Sequence, residues 1–196
     1  MERHEQILSF WFGEPGAPPL QNQESWFKKD PAFDARIRDS FEADLKRAAQ
    51  GEFDAWKTQP RSCLALLILL DQMSRNMYRN KPESFAQDAQ ALATCLEGRK
   101  QGLDQSLPHM QRVFFYMPMM HSESLAIQRE AVSLFDALAK TGPEELRQTL
   151  AGGADFERKH HDIIERFGRF PHRNAILGRV STPEEIEFLK QPGSSF

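Results

Sequence analysis

The run Cys63-Leu64-Ala65-Leu66-Leu67-Ile68-Leu69-Leu70 is apolar at every one of eight positions. A surface helix keeps a polar face only when apolar residues recur three and four apart, and a half-buried strand needs strict alternation. The run has neither pattern, so it must be enclosed on all sides. It is too short for a bilayer, which takes about 20 residues of helix, and the enclosure therefore has to come from the rest of this chain. Pro60 suits the first turn of a helix, and polar residues return at Asp71 and Gln72. Together they predict one central helix over Pro60 to Tyr78 with other helices packed around it.

The flanking sequence supplies those helices. Phe33, Ile37, Phe41 and Leu45 recur every four residues, with Asp30-Pro31 as N-cap and first turn and Gly51 as a stop. Phe85, Ala89, Leu92 and Leu96 predict a helix starting near Pro82 and ending by Gly98 or Gly102, and Met110, Val113, Phe114 and Met117 predict one starting near Pro108. Ile127, Ala131, Leu134 and Leu138 mark a fourth, ended by Thr141-Gly142-Pro143. Gly152-Gly153 is expected to split a short helix carrying Leu146 and Leu150 from a longer one carrying Phe156, His160, Ile163, Ile164 and Phe167. Thr182-Pro183-Glu184-Glu185 spells an N-cap, a first-turn proline and the glutamate of a capping box. No stretch alternates β-branched with polar residues, and there is no Asn-Gly or Asp-Gly hairpin signal. The expected fold is all-α: a single compact domain over residues 1–196 of packed antiparallel helices with no β-sheet. One long Pro/Gly-rich loop is expected from Gly13 to about Gln23.

Charge narrows the partners. Lys and Arg total 25 against 28 Asp and Glu, a net charge of -3, which argues against coating nucleic acid or lying on an acidic membrane. The charged start, Met1 to Gln6, lacks the apolar core of a signal peptide, so a cytoplasmic location is expected. Cys63 and Cys95 read as core cysteines, too few for a disulfide framework or a zinc cage. No oligomeric state follows from the sequence.

Three constellations can carry chemistry. In the first, Asp71, Arg75 and Arg79, with Gln72 and Asn76 beside them, continue the apolar face of the central helix. They are either an acid and two guanidiniums at a pocket mouth or a buried ion network with Asp71 and Arg75 paired at i,i+4. In the second, Pro118 is expected to kink or break its helix and turn His121, Ser122 and Glu123 toward a cavity. No Gly-x-Ser-x-Gly elbow surrounds Ser122, so serine-hydrolase chemistry is not indicated; the alternative is that Ser122 or Ser124 caps the next helix and His121 bonds within the core. The third and densest lies between Arg158 and Arg179, where six Lys or Arg face two Asp or Glu, a local charge of +4. Helical projection turns His160 inward and Arg158, Asp162 and Arg166 outward, beside His161; Gly168 should end the helix, leaving Arg169, His172, Arg173 and Asn174 on a compact loop. Guanidinium forks there suit a carboxylate or phosphate, or else pair with the protein's own acids. Glu157-x-x-His160 matches a di-iron ligand pair once, where that architecture needs two. With no His-Glu-x-x-His and no glycine-rich phosphate loop, neither metal nor cofactor is expected.

Taken together, Ile7-Leu8-Ser9-Phe10-Trp11-Phe12-Gly13, Trp26-Phe27, Leu70-Asp71-Gln72 with Arg75-Asn76 and Arg79, His121-Ser122-Glu123, His160-His161, Phe167-Gly168-Arg169-Phe170-Pro171-His172-Arg173-Asn174, Leu177-Gly178-Arg179 and Ser181-Thr182-Pro183-Glu184-Glu185 resemble an uncharacterised family, domain of unknown function 924. The resemblance runs nearly the whole chain and implies an all-helical fold similar to the tetratricopeptide-like superfamily. It brings no activity and no catalytic residues, and this chain carries no repeated tetratricopeptide signature.

Three functional readings follow. The first is a binding module whose cleft, lined by Arg75, Arg79, His121, Arg166, Arg169, His172 and Arg173, receives a small anionic ligand or an acidic chain end. The second is an enzyme using Asp71, His121, Glu123 or His161 for acid-base work in the same cleft. The third is a scaffold that binds a protein partner through Trp11, Trp26 and Phe27, for which the plainer role is core anchoring.

Overall fold

The computed structural model describes residues 1–195. In chain order the α-helices are α1 (Arg3–Phe12), α2 (Gln23–Phe27), α3 (Pro31–Ala49), α4 (Pro60–Leu67), α5 (Ser74–Met77), α6 (Asp88–Lys100), α7 (His109–Met120), α8 (Leu125–Thr141), α9 (Arg147–Phe167) and α10 (Pro183–Leu189). Short 3-10 turns connect several of them, and no strand occurs among the described residues. The protein is all-α, as its periodicity predicts. Backbone contacts divide the chain into two compact units, residues 1–79 with 83–118, and residues 80–82 with 119 onward.

In the first unit, every residue from Cys63 to Leu70 is at most 1% exposed. The enclosing elements are α1, which packs on α4, α3, which lies along the end of the buried helix, and α6, which crosses α4. The buried helix is not uniform. Between α4 and α5, Ile68–Met73 forms a π-helical stretch, a wider turn that advances the following side chains by about 100° relative to an unbroken α-helix. Asp71 and Gln72 sit in this stretch and are themselves buried, as is Ser74, whose Oγ donates to the Leu70 carbonyl at 2.7 Å. Around Phe114 of α7, the rings of Trp11, Phe12 and Trp26 pack edge-on at 5.7, 5.3 and 4.8 Å between centroids. Trp11 and Trp26 are thus core anchors, and of the three residues assigned to a docking surface only Phe27 is exposed.

The helix ends follow their sequence signals closely. Asp30 accepts from the amides of Ala32 and Phe33, and Thr182 and Glu185 close the capping box of α10. Elsewhere the boundaries depart from expectation. Pro82–Phe85 is a 3-10 turn and α6 begins at Asp88. Pro118 does not break α7, which continues to Met120; a proline in the last turn forfeits one backbone bond, less than the burial of Met117, Met119 and Met120 returns.

In the second unit, α8 and α9 form an antiparallel hairpin joined by Arg158 to Asp136 and, at 3.5 Å, Arg129 to Glu165. Here the expected break at Gly152-Gly153 is absent, and α9 runs unbroken from Arg147 to Phe167. Two glycines cost about 1 kcal/mol each in a helix interior, whereas the face carrying Leu150, Ala154, Ile163 and Ile164 is buried and Gly153 lies against the Phe135 ring. Packing overrides propensity.

Two substitutions check this account. Leu67→Asp places an unpartnered charge where the native side chain is 0% exposed, and it is expected to abolish soluble folded protein in expression and circular dichroism. Gly152→Ala adds a Cβ that meets nothing within 4 Å, and should raise stability by about 0.5–1 kcal/mol in urea unfolding.

Candidate functional site

In the first unit, the acid and guanidiniums of the central helix are locked to one another. Asp71 is 1% exposed and lies 3.0 Å from Arg75 Nη1, while Gln72 Nε2 donates to its other oxygen at 2.6 Å. Arg75 also donates to both oxygens of Asp88, at 2.9 and 3.0 Å. One turn on, Arg79 grips Asp34 with Nε and Nη2, both at 2.8 Å, and Asn76 adds a third donor. These bonds tie the π-helical stretch to α3 and α6, because a buried carboxylate left alone would cost several kcal/mol.

The second unit gathers the remaining residues. After α7, Glu123 accepts from the Phe170 amide at 2.8 Å and from Arg179 Nη1 and Nη2 at 2.8 and 3.0 Å. Despite partial burial, those bonds hold its carboxyl below the usual range. Gln128 Nε2 donates to the carbonyls of Met120 and Ser122, at 2.6 and 2.8 Å, fixing the turn that bears His121; Ser124 occupies the N-cap of α8 without a side-chain cap bond. Gly168, at φ +68, ends α9 in the left-handed region that favours glycine. The chain then folds into a 3-10 turn over Pro171–Arg173.

On either side of that turn, Arg169 forks onto Glu185 at 2.6 and 2.7 Å, and Asn174 donates to Ser181 and, at 3.3 Å, to Glu185. The Arg169 bond, with the Thr182 amide, holds Glu185 at about 2. Arg166 reaches Glu184 at 2.9 Å on the exposed face. The expected display of the whole loop is therefore incorrect in two places: Arg173 is 6% exposed and Asn174 is 0%. Both are drawn inward because Phe170, fully buried among Ile163 and Ile164, anchors the turn.

Phe170 is also the centre of a group of basic side chains. The Arg173 guanidinium stacks 4.5 Å from its ring centroid and donates to the His121 carbonyl at 3.0 Å. His160 and His172 approach the same ring at 5.5 and 5.6 Å, and His121 lies 6.2 Å from His160. Burial first, then neighbouring positive charge, lowers His172 to about 4 and His160 to about 3, so both are neutral near pH 7. His160 Nδ1 lies 2.9 Å from the Phe156 carbonyl, which favours the tautomer protonated there.

Sequence reasoning turned His160 inward and named Glu157 only as half of a ligand pair; Glu157 is 0% exposed and has no hydrogen-bond partner for either oxygen among the described residues. Its spacing of three from Ala154 and seven from Ile164 was the available signal. His161 stands apart, on the outward side of α9, where with Asp162 and Glu165 it forms a group whose ligand atoms lie within 4.8 Å of one another. Glu165 there already faces Arg129 at 3.5 Å, and no metal role is assigned.

The buried groups give stability an opposing pH dependence. Burial raises Glu157 from 4.5 to about 8, so the folded state keeps a proton that the unfolded chain releases, and this contribution weakens from about pH 4.5 up to about pH 8. His160 and His172 act oppositely: the unfolded chain takes up protons below about 6.5 that the folded state refuses until about 3 and about 4, respectively, so their contribution weakens as pH falls through that window. Glu157→Gln should therefore gain on the native protein as pH rises from 5 to 8 in urea unfolding, and an unchanged difference between the two would refute a buried unpartnered carboxyl.

No helix among the described residues is long and apolar enough to cross a membrane. No curated protein matches the chain. A solved protein of unknown function from Agrobacterium tumefaciens aligns at 37% identity over 95% of this chain and 96% of its own, with a TM-score of 0.82. The family model described as bacterial protein of unknown function (DUF924) matches residues 7–193. With nearly its whole length matched, this chain belongs to that family.

Proposed function

We propose that the second unit is a binding module for a small anionic ligand, a carboxylate or phosphate, held by His121, His172 and Arg173 beside His160. The observation that carries this reading is the grouping of two imidazoles and a guanidinium about Phe170, with His121 6.2 Å from His160, while the adjoining carboxylates, Glu123 and Glu185, are each engaged by a separate arginine, Arg179 and Arg169. Burial is the larger cause of the lowering of His172, and the Arg173 and His121 side chains beside it add to that lowering. An anion entering there would be attracted by Arg173 and would offset the part of that lowering due to neighbouring charge, favouring a proton on His172. Arg166, Arg169 and Arg179 serve as the frame rather than as the grip. An acid-base enzyme is less well supported, because Glu123 is held ionised by Arg179 and is a poor proton carrier near neutrality.

Binding is expected to be linked to proton uptake. Phosphate, sulfate or small carboxylates should raise the Tm more at pH 5.5 than at pH 7.5, and titration calorimetry in two buffers of different ionisation heat should register about one proton taken up per ligand near pH 5.5. His172→Asn should retain the fold and lose the pH dependence, and Arg173→Lys should weaken binding about tenfold. A screen flat at both pH values, or binding without proton uptake, overturns the proposal.

A further inference from the structure

Along one face of α9, Phe156, His160, Ile163 and Phe167 recur at intervals of four, three and four, the spacing of a single helical seam. The C-terminal segment covers most of it. Phe188 meets Phe167 at 5.0 Å between ring centroids, Phe170 packs with Ile163 and Ile164, and the same Phe170 meets His160 at 5.5 Å. At the next position the cover thins. His160 is 2% exposed, whereas Phe156, whose ring stands edge-on to it at 4.8 Å, is 41% exposed. An apolar ring therefore faces water directly beside the imidazoles and the guanidinium grouped about Phe170.

A single exposed apolar side chain is ordinary on a protein surface; this one differs in its neighbours. It continues a seam that is packed over the rest of its length, and it lies where the basic side chains begin. Charge at this end favours an anion: Asp155, the acid next to Phe156, is engaged by Arg158 at 2.6 Å, and Lys159 is exposed with no ion pair among the described residues. At the inner end His160 and His172 are neutral near pH 7, so they offer ring surface and hydrogen bonds without charge. A doubly charged head costs more to strip of water than a singly charged one, and neutral imidazoles offset little of the difference. One negative charge with an apolar group attached suits both ends.

We propose that the anion taken by this site is a carboxylate carried on an apolar body, an arylalkyl acid, whose head lies with Arg173 and His172 and whose body covers Phe156 at the open end of the seam. This rests on the reading of the second unit as an anion-binding module and names the class of ligand. His160 is the one ring between Phe170 and Phe156, so a short alkyl linker has to separate head from ring. The head uses the guanidinium fork, which takes a carboxylate through two parallel bonds, and the body removes apolar surface from water on both partners.

The test uses the full chain and four probes, titrated by calorimetry and by ligand-observed NMR at pH 7: 4-phenylbutyrate; butyrate, the head without the ring; 4-phenylbutanol, the ring without the charge; and inorganic phosphate. 4-Phenylbutyrate is expected to bind saturably and about tenfold more tightly than butyrate, the yield of one aromatic contact. Phosphate should bind no more tightly than butyrate, and the alcohol at least about tenfold more weakly than 4-phenylbutyrate. Phe156→Gln should bring 4-phenylbutyrate down to the affinity of butyrate and leave butyrate unchanged, Phe156→Leu should keep most of the difference, and Arg173→Lys should weaken both acids by one factor. If butyrate or phosphate binds as tightly as 4-phenylbutyrate, or Phe156→Gln binds 4-phenylbutyrate as the native protein does, the apolar extension is overturned and the anion reading stands. Binding of the alcohol as tight as that of 4-phenylbutyrate overturns the proposal as well. If neither acid nor phosphate reaches saturation in the millimolar range, the anion reading falls and the proposal falls with it.

Discussion

Enclosure of Cys63 to Leu70 is the constraint on which the rest of the first unit depends. Burying eight consecutive side chains removes water from every side of one helix, so a neighbour must cover each face: α1, α3 and α6 do so. Burial then extends past the apolar run. Asp71 and Gln72 are carried into the interior by the π-helical stretch, and a carboxylate at that depth persists only with charge-assisted partners. Arg75 supplies them and is itself steadied by Asp88. The polar network is thus a consequence of the apolar one.

The second unit obeys the same rule around a different centre. Phe170, Ile163 and Ile164 form its small core, and the turn that delivers Phe170 is pinned by two forks, Arg179 on Glu123 and Arg169 on Glu185. These forks account for much of the excess positive charge between Arg158 and Arg179. They also give the histidines and Arg173 a fixed frame, and fixed donors lose little entropy when they take a ligand. Rigidity and function are therefore compatible here, since the ion pairs that hold the frame are not the groups proposed to grip the anion.

The sequence made some features legible and hid others for definite reasons. Helix caps at Asp30 and Thr182 were readable because capping is local: donor and acceptor lie within three residues. The break expected at Gly152-Gly153 was misread because the contacts that sustain α9 come from α8, a partner that local propensity does not contain. For the same reason Pro118 was given too much weight. The histidine and arginine residues of the candidate site could be named from residue type and local charge, but Arg173 and Asn174 were expected outside and are inside, drawn there by Phe170. Glu157 was noted only as half of a ligand pair; its burial without a partner is visible only once α9 has been set against α8.

By itself, then, the sequence determined the helical class, the buried run and most helix starts, since each depends on periodicity or on contacts a few residues apart. Tertiary structure decided which charges cancel. Arg79 finds Asp34 across 45 residues, and Arg179 finds Glu123 across 56; no local pattern encodes such pairings, because a guanidinium fork accepts any carboxylate brought within about 3 Å. It also brought the basic side chains together around Phe170, from segments remote in the chain that meet only after the apolar surfaces have been buried.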